Sequence, residues 1–229
     1  MRPDERPPLP LPAAAPLTAP ADFVTRLNDL GIRVDDGAIA KIGDYLARLL
    51  AMNEQMNLTA IETPDAAWER HALDALTLVP LLADVAAGAR IADIGSGGGL
   101  PGIPLAITRP DLLVTLIEST QKKAAFLSAV AAALLLSNVN VLAERAETLA
   151  AGALRGTFDV VTARAVARLS QLVPITAPFV KKGGRLLLIK GQKAAEELTE
   201  AARVLAKHKT NHVKTIVTPT GRIVVLEKK

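Results

Sequence analysis

The chain contains no cysteine, and this absence removes several kinds of chemistry from consideration. It excludes disulfides, thiolate metal ligands and a cysteine nucleophile. The composition fits a reducing compartment, so we expect a cytoplasmic protein without a bound metal. Aromatic residues make up only 3% of the chain, which argues against extensive stacking of nucleic-acid bases on aromatic side chains.

Long apolar runs are also missing. The longest run, residues 129–136, is far shorter than the ~20 residues that a membrane-spanning helix needs. The first residues combine charges with prolines, and this pattern is not that of a signal peptide. Half of the 229 residues are hydrophobic, which is enough for a full core, and the net charge of +4 suggests a polyanionic partner.

The composition divides the chain into three parts. Residues 1–20 are rich in proline and alanine, and we expect a disordered tail there. Residues 21–87 show apolar residues at helical spacing and are predicted to form a small helical N-terminal subdomain. Residues 88–229 alternate predicted strands with predicted helices, which is typical of an α/β domain.

The order of the predicted strands narrows the fold. Strands are predicted at residues 89–94, 112–117, 139–143, 158–163, 185–190, 213–218 and 222–226. The last two strands are joined by so few residues that they must form an antiparallel hairpin. This predicts the seven-stranded, Rossmann-like sheet of S-adenosylmethionine (SAM) methyltransferases rather than the paired halves of a dinucleotide dehydrogenase.

The first strand of this domain runs into a glycine-rich turn and then a helix start. Glycines permit positive φ and let a ligand approach the backbone. Gly97, Gly99 and Gly102 fit the dinucleotide-binding fingerprint. The turn also fits the first motif of SAM methyltransferases, an acidic residue followed by three alternate glycines: Asp93, Gly95, Gly97 and Gly99. The turn therefore predicts a nucleotide-like cofactor but leaves two cofactor classes open.

Other candidate ligand contacts follow the next strands. Glu118 ends the second strand beside the glycine turn, where a carboxylate can accept hydrogen bonds from ribose hydroxyls. Ala146 and Glu147 follow the third strand, where an adenine would lie, although Glu147 could instead cap a short helix. Arg145 and Arg164 follow successive strands, and we expect both on the ligand side of the sheet.

One helix of the N-terminal part carries polar residues at a notable spacing. Trp68, His71 and Asp74 occur at successive i, i+3 positions, hence near one helix face. One interpretation is a core tryptophan beside a solvated His–Asp pair. The other is that this helix forms a wall of the active site.

Several separated motifs occur along the chain: residues 93–106, Asn57–Thr59, Arg70-His71 with Asp74, Arg164-Ala165 and Lys190-Gly191. Together these motifs resemble the RsmG (glucose-inhibited division protein B) family, the bacterial guanine-N7 methyltransferases of small-subunit (16S) ribosomal RNA. The resemblance implies SAM as cofactor and ribosomal RNA or an assembly intermediate as partner. It also implies that SAM contacts Gly95, Leu100, Ala146, Glu147 and Arg164.

The chemistry of the acceptor agrees with this resemblance. C5-pyrimidine methylation usually needs a cysteine, and amine methyltransferases typically carry an (N/D)-P-P-(Y/F) segment where residues 162–165 read Thr-Ala-Arg-Ala. Guanine N7 already carries an acceptor lone pair, so it can be methylated without removal of a proton. Alignment of donor and acceptor then supplies most of the catalysis.

The predicted site thus has three sets of residues and no certain catalytic base. The cofactor-binding set is Asp93, Gly95, Gly97, Gly99, Leu100, Glu118, Ala146, Glu147 and Arg164. The positioning candidates are Arg145, Arg164, His71 and Asp74. The predicted RNA contacts are Lys122, Arg145, Arg168 and Lys190. A nicotinamide-dependent oxidoreductase, a small-molecule methyltransferase and a non-catalytic binding module are the alternatives, and we expect a monomer.

Overall fold

A computed structural model describes residues 9–164 and 167–229. Within these residues, seven strands form one sheet in the order β3-β2-β1-β4-β5-β7-β6. The strands are β1 Arg90–Ile94, β2 Leu113–Ile117, β3 Val139–Leu142, β4 Phe158–Arg164, β5 Val180–Lys190, β6 Thr210–Val217 and β7 Arg222–Lys228. Strands β1 to β5 are parallel, whereas β7 is antiparallel to both β5 and β6. The predicted fold with its C-terminal hairpin is confirmed.

Helices cover both faces of this sheet. They are α1 Phe23–Asp29, α2 Asp36–Met56, α4 Gly102–Thr108, α5 Gln121–Ala133, α6 Ala146–Ala151, α7 Leu169–Thr176 and α8 Ala194–Lys207. Helix α3 has three consecutive segments, the α-helical Pro64–Ala67, the π-helical Trp68–Leu73 and the α-helical Asp74–Leu76. A 3₁₀ turn, Val79–Leu82, leads toward the sheet.

Helix α2 has clear start and stop signals in its sequence. The Asp35 side chain caps its first turn by accepting a hydrogen bond from the Ala38 N–H at 2.9 Å. Asn57 ends the helix in a left-handed conformation with φ of 50°. Between these ends, Ile42 and Leu46 form part of a fully buried face. This face positions the helix against the sheet domain.

The N-terminal helices and one face of the sheet share a single hydrophobic core. Trp68 and Tyr45 belong to the same buried cluster as Leu116 on β2 and Val160 on β4. The opposite face of the sheet packs against α7 and α8 through a second cluster that includes Phe158. The division into parts 1–20, 21–87 and 88–229 stays a prediction, but the second and third parts are joined by extensive apolar burial.

Part of the proline-rich segment packs against the helices. Residues 9–20 form no helix or strand, yet Leu9, Leu11 and Leu17 lie partly buried against the first core cluster. The Leu17 N–H donates to the Gly43 carbonyl of α2 at 3.1 Å. This packing differs from the expectation of a tail without a packed structure, because three leucines among the prolines give residues 9–20 an apolar side.

The fifth strand begins earlier than the sequence predicts. It is predicted at residues 185–190, but β5 already begins at Val180 and includes Gly183 and Gly184. Gly183 takes a positive φ of 75° there, and the register with β4 shifts between Phe158 and Val160. The glycines therefore produce a bulge within a longer strand.

Among residues 9–164 and 167–229, no helix combines the length and the apolar character needed to cross a membrane.

Candidate active site

The glycine-rich turn lies between β1 and α4, at the carboxyl end of the parallel strands. Gly95, Gly97 and Gly99 all have positive φ, at 69°, 56° and 103°. A Cβ at Gly99 would lie 2.7 Å from the Ile103 side chain, so packing requires glycine there. A Cβ at Gly97 would meet nothing closer than the Gly95 carbonyl oxygen, at 3.9 Å. The backbone at Gly97 is therefore open to a ligand, and that at Gly99 is not.

Glu118 lies next to this turn, as its position after β2 predicted. One carboxylate oxygen, Oε2, accepts a hydrogen bond from the Gly97 N–H at 2.9 Å. The other, Oε1, accepts one from the Thr120 N–H at 2.8 Å. Each oxygen keeps a further lone pair, so the carboxylate can hold the turn and still accept a hydroxyl. Its side chain is 7% exposed.

Asp93 fixes the glycine turn to the neighbouring strand and helix. Its carboxylate accepts hydrogen bonds from the Thr162 hydroxyl at 3.0 Å and from the Gly102 N–H at 3.1 Å. The residue is 1% exposed, and this burial raises the pKa of its carboxyl to about 6. The carboxylate thus connects β1 to β4 and to the first turn of α4. A direct contact between Asp93 and the cofactor stays a prediction.

Helix α2 supports the turn from behind. The Tyr45 hydroxyl donates a hydrogen bond to the Gly98 carbonyl at 2.9 Å, and both groups are buried. A Cβ at Gly98 would lie 2.7 Å from the Leu49 side chain, so the turn and α2 are in close contact. Sequence reasoning missed this contact, because no local signal connects residues separated by 53 positions.

A cleft of about 290 Å³ opens at the carboxyl ends of β4 and β5. Since β4 pairs with β1, the cleft lies on the same edge of the sheet as the glycine turn. Helix α3 and the β6–β7 hairpin close its other sides. The polar residues that line it are Arg70, His71, Asp74, Arg164, Lys190 and Thr220.

Arg164 connects β4 to helix α3. Its Nη1 donates to the Arg70 carbonyl at 2.8 Å and lies 3.4 Å from Asp74 Oδ2. The same guanidinium is 3.3 Å from His71 Nδ1. His71 and Asp74, which were predicted near one helix face, are therefore brought together with Arg164 in one cluster. The predicted contact between Arg164 and SAM stays a prediction.

His71 is a buried, neutral imidazole in the π-helical segment of α3. It is 3% exposed, and burial together with the Arg164 guanidinium lowers its pKa to about 4. Nδ1 lies 3.1 Å from the Arg70 carbonyl oxygen as well as 3.3 Å from the Arg164 guanidinium. Nε2 lies 2.8 Å from Thr59 Oγ1, and the tautomer of the ring decides which atom donates in each of these contacts. The ring is thus held between Arg164 and Thr59.

Asp74 lies one turn further along the same helix and is 7% exposed. Its Oδ1 accepts a hydrogen bond from the Thr220 hydroxyl at 2.5 Å. Thr220 belongs to the turn between β6 and β7, so the C-terminal hairpin helps to position this carboxylate. The spacing of Trp68, His71 and Asp74 had two interpretations, a core tryptophan beside a His–Asp pair or a wall of the active site. Each is right in part. Trp68 packs in the core, 4.8 Å from the Phe23 ring, whereas His71 and Asp74 form a wall of the cleft.

Arg145 does not join this cluster. Strands β2 and β1 lie between β3, which it follows, and β4, which ends at Arg164. Arg145 is the exposed N-cap residue of α6, at the sheet edge where Ala146 and Glu147 begin that helix. Both arginines lie at the carboxyl ends of parallel strands, but the strand order places two other strands between them. Leu100 lies buried in the glycine turn, 5% exposed.

Two predicted RNA contacts are already paired within the protein. The Lys190 ammonium is 2.9 Å from Glu197 and donates to the Ala167 carbonyl at 2.5 Å, and its side chain is only 8% exposed. Arg168 forms a 2.7 Å ion pair with Glu200 of α8. Lys190 therefore balances the charge of Glu197, and its predicted contact with RNA stays a prediction. Lys122 is exposed at the start of α5. Ala165, which belongs to a predicted motif, lies outside the described residues.

These residues fit a nucleoside cofactor at the turn. The open side of Gly97 leaves room for a ligand, and the Glu118 carboxylate faces that room with acceptor capacity to spare. A metal site has no comparable support, since no group of three or more potential ligands from His, Asp and Glu occurs in the described ranges.

Comparison with known proteins identifies the family. Residues 38–224 match GidB, described as rRNA small subunit methyltransferase G. The chain belongs to this family. It is 64% identical over 228 residues to the ribosomal RNA small subunit methyltransferase G of Sorangium cellulosum, covering 100% of this chain and 95% of that protein. It is 40% identical over 218 residues to the enzyme of that name from Lactococcus lactis subsp. cremoris, covering 92% and 91%.

Solved structures agree with this family at the level of the fold. A ribosomal protein L11 methylase from Lactobacillus delbrueckii subsp. bulgaricus superposes with a TM-score of 0.54 at 16% identity, covering 68% of this chain and 77% of that one. At this identity the likeness shows the methyltransferase fold alone. Membership of the family does not favour the oxidoreductase or small-molecule alternatives.

Proposed function

We propose that this protein transfers a methyl group from SAM to N7 of a guanine in bacterial small-subunit (16S) ribosomal RNA. The observation that carries the proposal is the open glycine turn beside a cleft whose histidine is neutral and fixed at both nitrogens. Such a cleft can align a nucleobase for reaction. Its histidine is not free to act as a general base, because both ring nitrogens are already engaged. The family to which the chain belongs supports the ribosomal RNA as substrate.

The cofactor would be held along the carboxyl ends of β1, β2 and β3. SAM supplies a methyl group made electrophilic by its sulfonium sulfur. The residues proposed to hold it are Gly95, Gly97, Leu100, Glu118, Ala146 and Glu147, while Gly99 shapes the turn by packing against Ile103. Glu118 would accept from the ribose hydroxyls, and the open backbone at Gly97 would allow close approach. Asp93 fixes the turn to β4 and α4.

The side chains of the cleft position the acceptor rather than exchange protons with it. Guanine N7 donates its in-plane lone pair to the methyl carbon as the carbon–sulfur bond breaks, and no proton leaves the base. Arg164 keeps the β4 end and α3 at a fixed separation through the Arg70 carbonyl. His71 supports Arg164 from one side. Alignment of the reacting atoms then supplies the rate enhancement.

Lys122 and Arg145 are proposed to contact phosphates of the RNA, since both are exposed near the cofactor edge of the sheet. Replacing each with glutamine is expected to lower the slope of log affinity against log salt by about 1. Filter binding of 16S rRNA across a salt series measures this slope. Lys181→Gln is the control, because Lys181 lies at the amino end of β5, opposite the cofactor edge, where it pairs with Asp159, and it should leave the slope unchanged. Equal slopes for all three variants and the unaltered protein would contradict these contacts.

The proposed function is tested with unmodified 16S rRNA and SAM that carries a labelled methyl group. Label should enter the RNA at a guanine, and borohydride followed by aniline should cleave the chain at that position. Label without such cleavage would show that a different atom is methylated. No labelling of either free RNA or small-subunit particles would overturn the proposal.

The pH dependence of the methyl-transfer step gives an independent check. With a pKa of about 4, His71 stays neutral between pH 6 and 9, so its titration should not change the single-turnover rate. The ratio of rates for the unaltered protein and His71→Asn should therefore be constant over this range. Any titration of Asp93, near pH 6, is common to both proteins. A ratio that rises with pH over this range would show that His71 titrates there, contrary to its burial beside Arg164.

A further inference from the structure

We propose that Asp74 recognises the acceptor guanine by accepting hydrogen bonds from its N1–H and N2 amino groups. This inference rests on the proposed function and adds a specificity-determining residue to it. Asp74 lines the cleft at the carboxyl ends of β4 and β5, beside the glycine turn. An enzyme that modifies a base commonly takes it into such a pocket and reads its Watson–Crick edge.

The carboxylate has unused acceptor capacity on the cleft side. Oδ1 accepts one hydrogen bond, from Thr220, and Oδ2 has a contact of 3.4 Å with Arg164, which is long for a hydrogen bond. Each carboxylate oxygen offers about two lone-pair positions. Two adjacent N–H donors on a ligand can therefore be accommodated without breaking the contacts that hold Asp74.

The edges of guanine determine how it can face this carboxylate. The N7 and O6 edge carries only acceptors, so it is repelled by a carboxylate. The opposite edge presents two parallel donors, N1–H and the N2 amino group, which match the two oxygens of Asp74. A guanine oriented by Asp74 thus has N7 directed away from the carboxylate and free to react. Adenine has an acceptor at N1 and lacks the N2 amino group, so it is excluded.

The surroundings of Asp74 make this recognition specific. Helix α3 supplies its backbone, Thr220 of the hairpin fixes Oδ1, and Arg164 lies against Oδ2, so the carboxylate is held from three elements. Ile61 and Ile189 line the same cleft and offer apolar contact to the faces of a base. A pocket with preset polar groups discriminates strongly against a ligand that leaves one of them unpaired.

Inosine provides the test, because it keeps N7, O6 and N1–H but lacks the N2 amino group. The guanine that the unaltered protein methylates is first located by aniline cleavage, and 16S rRNA with a single inosine there is then made by ligation. The unaltered protein should methylate the inosine RNA about 10- to 100-fold more slowly at limiting RNA, as expected for a lost hydrogen bond to a charged group. Asp74→Asn should reduce this discrimination to about threefold or less.

Two further measurements distinguish a failure of the Asp74 assignment from a variant that is simply inactive. Thr220→Val retains the carboxylate but removes the bond that orients it, so its discrimination should fall severalfold, even if Asp74→Asn proves inactive. Calorimetric titration with SAM should give both variants the affinity of the unaltered protein. Full discrimination in Asp74→Asn or Thr220→Val, or none in the unaltered protein, would overturn the role of Asp74. Failure of the unaltered protein to methylate guanine N7 at all would instead overturn the proposed function and this assignment with it.

Discussion

Replacing Gly97 with valine is expected to abolish SAM binding, with a dissociation constant raised by at least about 100-fold. The added side chain would project into the open space beside the turn, where no protein atom lies closer than 3.9 Å to the Cβ position. In a ligand-binding turn, the bound ligand occupies the space beside such a glycine. Calorimetric titration with SAM measures the loss, and parallel titration with NAD should give no saturable heat for either protein.

The control for backbone strain is Gly156→Val. Gly156 has a φ of 65°, close to the 56° of Gly97, and a Cβ there would also meet nothing within 4 Å. Both variants therefore carry a similar penalty for a left-handed conformation, about 1–2 kcal/mol. Only Gly97→Val should lose the cofactor, while both should lower the melting temperature. Normal SAM affinity in Gly97→Val would show that the ligand does not approach the turn there.

Much of the fold could be predicted because its signals are local. A buried strand followed by glycines predicted β1 and its turn, and the four residues between β6 and β7 were too few for anything but a hairpin. Glu118 was placed beside the turn by the pairing of β2 with β1. The bulge at Gly183 was missed because two adjacent glycines predict a turn and a bulge equally well.

The sequence predicted which residues lie near the site, but not which side chains they contact. Asp93 and Glu118 both occur near the carboxyl ends of predicted strands, yet one carboxylate is buried against Thr162 and the other bonds to the turn at Gly97. Lys190 reads as a surface cation, but Glu197 on α8 neutralises it. Thr220 carried no signal, because it contacts Asp74 across 146 residues of chain. Which groups face the ligand is decided by such distant contacts.

The cluster around Arg164 gives the second large expected effect. Arg164→Met should lower kcat/KM for RNA methylation by about 100-fold or more, because the β4 end loses its bond to the Arg70 carbonyl and the acceptor cleft loses its alignment. Methionine keeps the apolar stem and removes only the guanidinium. His71 and Asp74 also lose the cation that lies 3.3 Å and 3.4 Å from them. Single-turnover rates with saturating SAM measure the loss of activity.

Arg168→Met is the matched comparison, since Arg168 also follows β4 but forms an ion pair with Glu200 in which its side chain is 59% exposed. Exposed ion pairs contribute little to stability, and Arg168 does not line the cleft, so this variant should remain within about fivefold of full activity. SAM affinity then separates two roles for Arg164. An unchanged dissociation constant assigns it to the acceptor side, as its contacts with α3 indicate. A dissociation constant raised as much as kcat/KM falls would make it a cofactor ligand, and equal activity of the two variants would contradict any special role.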